Sequence, residues 1–238
     1  MSAARLRWSA GNRLLDSLVP EERAGVAEVL EEVSLRLKEP LFAPGARVDS
    51  VYFPIGSVVS VLTRAQGTTG VEVATIGNEG LVGVALSWGA TTLNPAELLQ
   101  VQVPGVALRM DAEAFTTELG HDAGLASAVR RYTQAFVSQL CQQVACNGLH
   151  SIQERCARWM LLTHDRVDTD EFPLTHEFLA QMLGVRRASV SGVAGALQDA
   201  GFIRYSRGWM TVLDRTGLEN AACECYQVLR EVFDRLIP

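Results

Sequence analysis

The chain has 238 residues, room for one or two domains, and 48% of them are hydrophobic, as in folded globular proteins. Its 27 acidic and 21 basic residues give a net charge of −6, which excludes a generic nucleic-acid coat dependent on basic density throughout. No stretch approaches the ~18–20 continuous apolar residues of a membrane helix. Met1 to Trp8 also lack the apolar run of a secretory signal, so the expected location is cytoplasmic, with no membrane partner.

Arg13 to Leu37 carries a helical pattern, with Pro20 and acidic Glu21 and Glu22 in the first turn and Val26, Val29, Leu30 and Val33 as the apolar stripe. From Pro40 the pattern shifts to short strands at 51–53, 57–62, 71–76, 98–103 and 106–110. Turns are predicted at Pro44-Gly45, Ile55-Gly56, 67–70 and Pro104-Gly105, and together these imply a small β-roll or barrel. Asp111 is placed to cap a helix carrying Phe115 and Leu119. A longer helix follows over 124–147, with Leu125, Val129, Tyr132, Phe136, Leu140 and Val144 near heptad spacing. Val129, Tyr132, Phe136 and Leu140 are read as a dimerisation seam, the alternative being that the stripe packs on its own β domain. Asn147-Gly148 is expected to break this helix and act as a hinge. Residues 151–163 form the next helix, with Ile152, Cys156, Trp159, Met160 and Leu161 apolar, and an acidic loop spans Asp165 to Glu171.

Residues 175–193 read as a helix-turn-helix. Phe178, Leu179, Met182 and Leu183 recur at helical spacing, Gly184 permits the positive φ of the turn, and Val190, Val193 and Leu197 resume a buried stripe. The second helix carries Arg186, Arg187, Ser189 and Ser191 near its start, where a recognition helix meets base edges and phosphates. Two β-type runs, 202–205 and 210–213, flank a turn at Ser206 to Trp209 and make a wing, with Arg204 at its base and Arg207 at its tip placed to reach phosphates. Thr175 completes the candidate DNA contacts. A final amphipathic helix is expected over Leu218 to Leu236. The fold class is α+β: a sensor-like β-roll over 1–120, a dimerisation helix and hinge over 121–148, and a winged helix-turn-helix over 149–238. The expected partners are double-stranded DNA and a second copy of the chain, since a two-fold protein reads two half-sites of a palindrome.

The five cysteines, Cys141, Cys146, Cys156, Cys223 and Cys225, are odd in number and suggest no disulfide framework. Cys223-Glu224-Cys225 fits no common zinc pair, and His121, His150, His164 and His176 show no ligand spacing among themselves, so no metal is expected and the thiols are read as buried or half-buried. No nucleophile–base pair appears at usable spacing, which argues against an enzyme.

The order helix, β-roll, long helix, winged helix-turn-helix resembles the Crp/Fnr family of bacterial transcription regulators. The resemblance rests on Val51 to Val58, Ala74 to Gly83 and, most specifically, Leu174 to Tyr205. It implies a homodimer on a palindromic operator and an N-terminal cyclic-nucleotide-binding-like domain. Members that activate transcription also contact RNA polymerase, but no surface for that contact is recognisable in the sequence. In members that bind cyclic AMP a Gly-Glu segment contacts the ribose and an Arg-Ser pair holds the phosphate. Gly77, Glu79 and Gly80 resemble the first element. The second falls near Thr92 to Ala96, where Asn94 stands but no arginine does, and Pro95 removes a backbone donor. A buried phosphate without a cationic partner loses about 1.5–3 kcal/mol, so cyclic-nucleotide binding is not expected, although a cyclic-nucleotide-responsive regulator is kept as an alternative. Iron–sulfur and haem sensors of the family use cysteines, or a cysteine and histidine, within or before the β domain, and this chain has neither before residue 121. No cofactor is therefore expected. Aligned on Gly184, Ala188 and Gly192 occupy positions where the best-known members carry a glutamate and a later arginine, whereas Arg187 matches an arginine of the catabolite-activator members. The resemblance thus assigns guanine readout to Arg187, bases or phosphates to Arg186 and Ser189, a weaker contact to Ser191, and an operator unlike that of those relatives. A protein-interaction module with a vestigial helix-turn-helix remains as a second alternative, which the concentration of arginines between 186 and 207 opposes.

Overall fold

The computed structural model describes residues 11–64 and 70–237, so all but Gly70 of the turn predicted at 67–70 lies outside them. The first element differs from expectation. Two short helices, α1 (Arg13–Asp16) and α2 (Pro20–Ala27), are followed by a strand, β1 (Glu31–Leu35), rather than by a helix continuing to Leu37. The residues from Val29 to Leu35 hold two β-branched valines, and pairing with β7 (Gly105–Asp111), where Val33 faces Ala107, satisfies their backbone and overrides the helical spacing.

The predicted strands are present as β3 (Ser50–Ile55), β4 (Val58–Thr63), β5 (Val71–Ile76), β6 (Glu97–Val103) and β7, joined by β2 (Pro40–Phe42). They form two antiparallel sheets, ordered β1-β7-β3 and β2-β6-β4-β5, around Val51, Phe53, Val59, Ile76, Leu81 and Val101, all at most 2% exposed. The result is a jelly-roll-like β domain. Helix α3 (Ala112–His121) follows Asp111, whose carboxylate pairs with Arg109 instead of capping.

Asp122 caps the long helix α4 (Ala123–Leu149), accepting a hydrogen bond from the Leu125 amide at 2.9 Å. Asn147 and Gly148 do not break it. The break falls at His150-Ser151, where Ser151 and Glu154 form a reciprocal capping box that starts α5 (Ile152–His164). The expected dimer seam is corrected too. Leu125, Val129, Tyr132 and Phe136 lie in the core beneath the β domain and Leu140 packs against it, so the chain's own β domain and flanking helices fill that stripe.

After α5 come β8 (Glu171–Pro173), α6 (His176–Leu183), α7 (Arg187–Asp199), β9 (Ile203–Ser206) and β10 (Trp209–Val212). Strand β8 ends the stretch read as an acidic loop and pairs with β10, so the wing is a three-stranded sheet ordered β8-β10-β9. The single helix expected over 218–236 is two, α8 (Arg215–Ala221) and α9 (Cys225–Leu236), and α9 lies along α4. Asp214 caps α8 through the Gly217 amide at 2.9 Å, fixing its start before the predicted one.

A second core joins the two halves. Val58, Leu62, Leu98 and Val103 of the β domain cluster with Trp159, Phe178, Leu179, Leu183 and Val190 of the helix-turn-helix region. The C-terminal half is therefore docked on the outer face of the four-stranded sheet.

Candidate functional site

Thr175 caps α6, its hydroxyl accepting from the Phe178 amide at 3.2 Å. Gly184 then adopts φ 64° and turns the chain into α7, which begins at Arg187 with Arg186 in the N-cap position. Val190 and Leu197 anchor α7 in the core and present Arg186, Arg187, Ala188, Ser191 and Gly192 to solvent, with Ser189 half-buried. The uncapped first amides of α7 and its positive dipole end share this surface, an arrangement suited to anions.

Thr175, Arg187 and Arg207 line one groove of about 500 Å³, floored by His176 and Tyr205. Three predicted contacts are thereby brought together on one face. Arg204 is exposed on β9, and Arg207 sits at the wing tip with φ 50°, followed by Gly208 at φ 88° in a two-residue turn. Arg187 approaches Glu177 at 3.9 Å, but both side chains are at least 70% exposed, so this pair contributes little and Arg187 can exchange it for another partner. Ser191 is differently employed. Its hydroxyl lies 3.0 Å from His176 Nδ1, and the His176 ring meets Tyr205 edge-on at 4.7 Å, tying both helices to the wing. Desolvation, aided by the nearby Arg187 charge, holds His176 below the usual imidazole range, which favours a neutral ring.

Of the cavities described, none is lined by Gly77, Glu79, Gly80 and Asn94 together. Glu79 is 3% exposed and is gripped by Arg166 of the C-terminal half, with Nε 3.0 Å from both carboxylate oxygens and Nη2 2.8 Å from Oε1. Arg166 also donates to the Leu162 carbonyl at 2.6 Å. The glycines around Glu79 permit this approach: a Cβ on Gly77 would collide with the Arg166 side chain, and one on Gly80 would collide with the Tyr132 ring. Asn94 is exposed elsewhere, closing its own turn through the Ala96 amide at 2.9 Å. A cavity of about 230 Å³ beside Glu79 is lined instead by Arg13, Asn78, Asp165, Arg166, Arg230 and Asp234. Arg47 pairs by backbone with Thr92, but its side chain is exposed. Arg166 thus occupies the Glu79 carboxylate to which the resemblance would assign a ribose contact.

A second buried carboxylate crosses the same junction. Glu72 on β5 accepts from Trp159 Nε1 at 2.7 Å and lies 2.6 Å from Ser60 Oγ. Ser60 Oγ is also 3.0 Å from Gln102 Oε1, and Gln102 Nε2 donates to Thr163 Oγ1 at 2.8 Å. Ser60 has a single hydroxyl proton. If it goes to Gln102, the short contact to Glu72 requires a proton on the carboxyl group. Burial accordingly pushes Glu72 up to about 7, against the opposing effects of Ser60, Trp159, Arg158 and Arg166. Neither Glu72 nor Arg166 signals this role in the sequence, because Glu72 alternates with Val71 and Val73 as an outward strand position would, and Arg166 stands among acidic residues.

Sequence spacing also missed a convergence at the far end of α4. Cys146, His150, Cys223 and Cys225 place their ligand atoms within 4.8 Å of one another. Cys146 Sγ is 3.5 Å from Cys223 Sγ, and His150 Nδ1 is 3.5 Å from Cys225 Sγ. A hydrogen bond from Cys223, aided by the charge of Arg158, holds the Cys146 thiol well below its ordinary range, while Cys223 is pushed up. The i, i+4 spacing of Cys146 and His150 on one helix was the available signal, but its partners lie more than 70 residues away.

The fold sets a helix-turn-helix with an arginine-bearing face behind a jelly-roll-like domain, an arrangement it shares with solved structures that include a Crp/Fnr-family regulator. The family described as the Crp-like helix-turn-helix domain matches residues 154–221. Among solved structures, FixK2 from Bradyrhizobium japonicum is similar at 15% identity and a TM-score of 0.68, over 82% of this chain and 98% of that one. TTHA1359, a Crp/Fnr-family transcriptional regulator from Thermus thermophilus, is 18% identical, with a TM-score of 0.64 and coverage of 81% and 98%. CLP of Xanthomonas campestris, described as a c-di-GMP-responsive global regulator, is 15% identical, with a TM-score of 0.62 and coverage of 82% and 99%. At these identities the likeness is one of fold. No curated protein sequence matches the chain. Among the described residues, no helix is long and apolar enough to cross a membrane.

Proposed function

We propose that the protein is a homodimeric, sequence-specific transcription regulator that reads a palindromic operator through α7 and does not use a cyclic nucleotide as its effector. The observation that carries this reading is the shared groove of Thr175, Arg187 and Arg207, at the start of a helix whose opposite side is buried. Arg187 is the base-reading residue, Arg186 and Ser189 flank it, and Arg204 and Arg207 contact phosphates. The wing turn supports the role of Arg207, since it keeps an arginine at a positive φ where turn chemistry prefers asparagine or glycine. In a gel-shift series, Arg187→Ala is expected to cost about 1–3 kcal/mol at one base pair of each half-site and to relax preference there. Arg207→Ala should weaken all sequences alike and lower the salt slope by about one. Equal losses on operator and random DNA for Arg187→Ala would remove its assignment.

The dimer seam proposed here is the outward stripe of α4, not the inward one. Val137 is 46% exposed and Val144 is 75% exposed, and exposed Cys141 lies between them. With Gly148, these positions keep the 4-3-4 spacing of a coiled-coil seam. Val144→Glu is expected to shift the protein to monomer in analytical ultracentrifugation and to weaken operator binding on the order of tenfold or more, because two half-sites are no longer held together. Unchanged sedimentation would rule out this seam.

The docking of the two halves through Arg166–Glu79 and Glu72 supports a regulatory reading. The helix-turn-helix is held against the β domain, and whatever changes that junction changes the pose of α7.

A further inference from the structure

We propose that Cys146, His150, Cys223 and Cys225 form a zinc site that fastens the C-terminal helix pair to the end of the long helix. The ligands come from two segments: Cys146 and His150 from the last turn and cap of α4, and Cys223 from the break between α8 and α9 with Cys225 from the first residue of α9. A tetrahedral ion with Zn–S near 2.3 Å and Zn–N near 2.0–2.1 Å puts neighbouring donor atoms about 3.5–3.8 Å apart. The contacts of 3.5 Å between Cys146 and Cys223 and between His150 and Cys225 already have this spacing. An iron–sulfur cluster distributes its cysteine sulfurs over several iron atoms, an arrangement wider than four donors converging within 4.8 Å. Thiolate-rich donor sets also exclude magnesium and calcium, which take oxygen ligands.

The surroundings are those of a site and not only of a thiol cluster. The three cysteines are at most 4% exposed and form a separate buried group. His150 turns Nδ1 inward, while its Nε2 is 3.1 Å from the Glu224 carboxylate, the outer-shell partner that fixes tautomer and ring orientation in ligating histidines. Gln142 Nε2 donates to Cys225 Sγ at 3.0 Å, a bond that favours the thiolate. Three thiolates and a neutral imidazole around a divalent ion leave one negative charge, and the buried Arg158 and Arg155 lie close enough to Cys146 to offset it. The break at Ala222 to Glu224, unexplained by helix propensity, is what brings Cys223 and Cys225 to α4.

The test uses the full-length protein purified under reducing conditions without chelator. Elemental analysis is expected to find one zinc per chain, retained by Cys141→Ser, which lies outside the cluster, and lost by Cys225→Ser. Because Cys225→Ser can fail to fold, the wild-type chain is also stripped with chelator and titrated with cobalt(II). Strong visible d–d bands with thiolate charge transfer, displaced by zinc, are the expected signature of tetrahedral sulfur-rich coordination. Folded protein that binds neither zinc nor cobalt overturns the proposal. So does a bound iron–sulfur chromophore, or a cobalt spectrum that persists unchanged in folded Cys225→Ser.

Discussion

Arg166→Met is expected to destabilise the chain by about 3–5 kcal/mol in urea denaturation, the largest effect anticipated for any single substitution. Both partners of the Arg166–Glu79 pair have side chains only 5% exposed. Removing the guanidinium leaves a carboxylate buried between two domains with the Gly77 amide, at 3.3 Å, as its other partner. Removing both charges is a different experiment. The double variant Glu79→Gln/Arg166→Met should recover most of the loss, because the cost of the single variant lies in the orphaned charge rather than in the value of the pair. A loss below about 1 kcal/mol for Arg166→Met would mean that the junction is wet or open in solution.

The second large effect is a dependence on pH set by Glu72. Its carboxyl group is raised to about 7 in the folded chain, from an ordinary value of 4.5. A raised carboxyl contributes stability that is complete below the unfolded value and is lost as pH climbs through the folded one. The docked arrangement should therefore be strongest below about pH 4.5 and lose up to about 3 kcal/mol as pH rises from there to about 7, with little further loss from this group above it. Arg158 and Arg166 are the charged groups that face Glu72, and both moderate the effect. Glu72→Gln keeps the acceptor for Trp159 and supplies a donor toward Ser60. It is expected to gain stability over the wild type progressively between about pH 4.5 and about pH 7 in parallel denaturation series, and to keep a constant lead above that. Two curves that run parallel across that range would assign the pH dependence elsewhere.

The parts of this protein that were legible in the sequence are those written in local spacing. The helix-turn-helix, its glycine turn and the wing each occupy a few consecutive residues, and so do the five short strands read between glycine-containing turns. What long-range packing decides was not legible. Val33 sits at a helical position in its stripe yet pairs opposite Ala107 on β7. Helix α4 carries two stripes at compatible spacing. Periodicity does not say that Val129, Tyr132 and Phe136 are used by the chain's own β domain and flanking helices while Val137 and Val144 face outward. Glu79 resembles a ligand-binding residue by its neighbours, and only the fold shows that Arg166, 87 positions later, has taken it. The cysteines likewise looked separate because Cys146 and Cys223 are 77 positions apart. Buried charge and convergent ligands are properties of tertiary structure, so these features emerged together.

Selection of bound DNA from a random pool, with wild-type protein and Arg187→Ala in parallel, tests the central claim most directly. The account predicts enrichment of a two-fold symmetric sequence with half-sites about one helical turn apart and a guanine in each whose preference disappears in Arg187→Ala. A pool that shows no enrichment, or the same enriched sequence from both proteins, would contradict it.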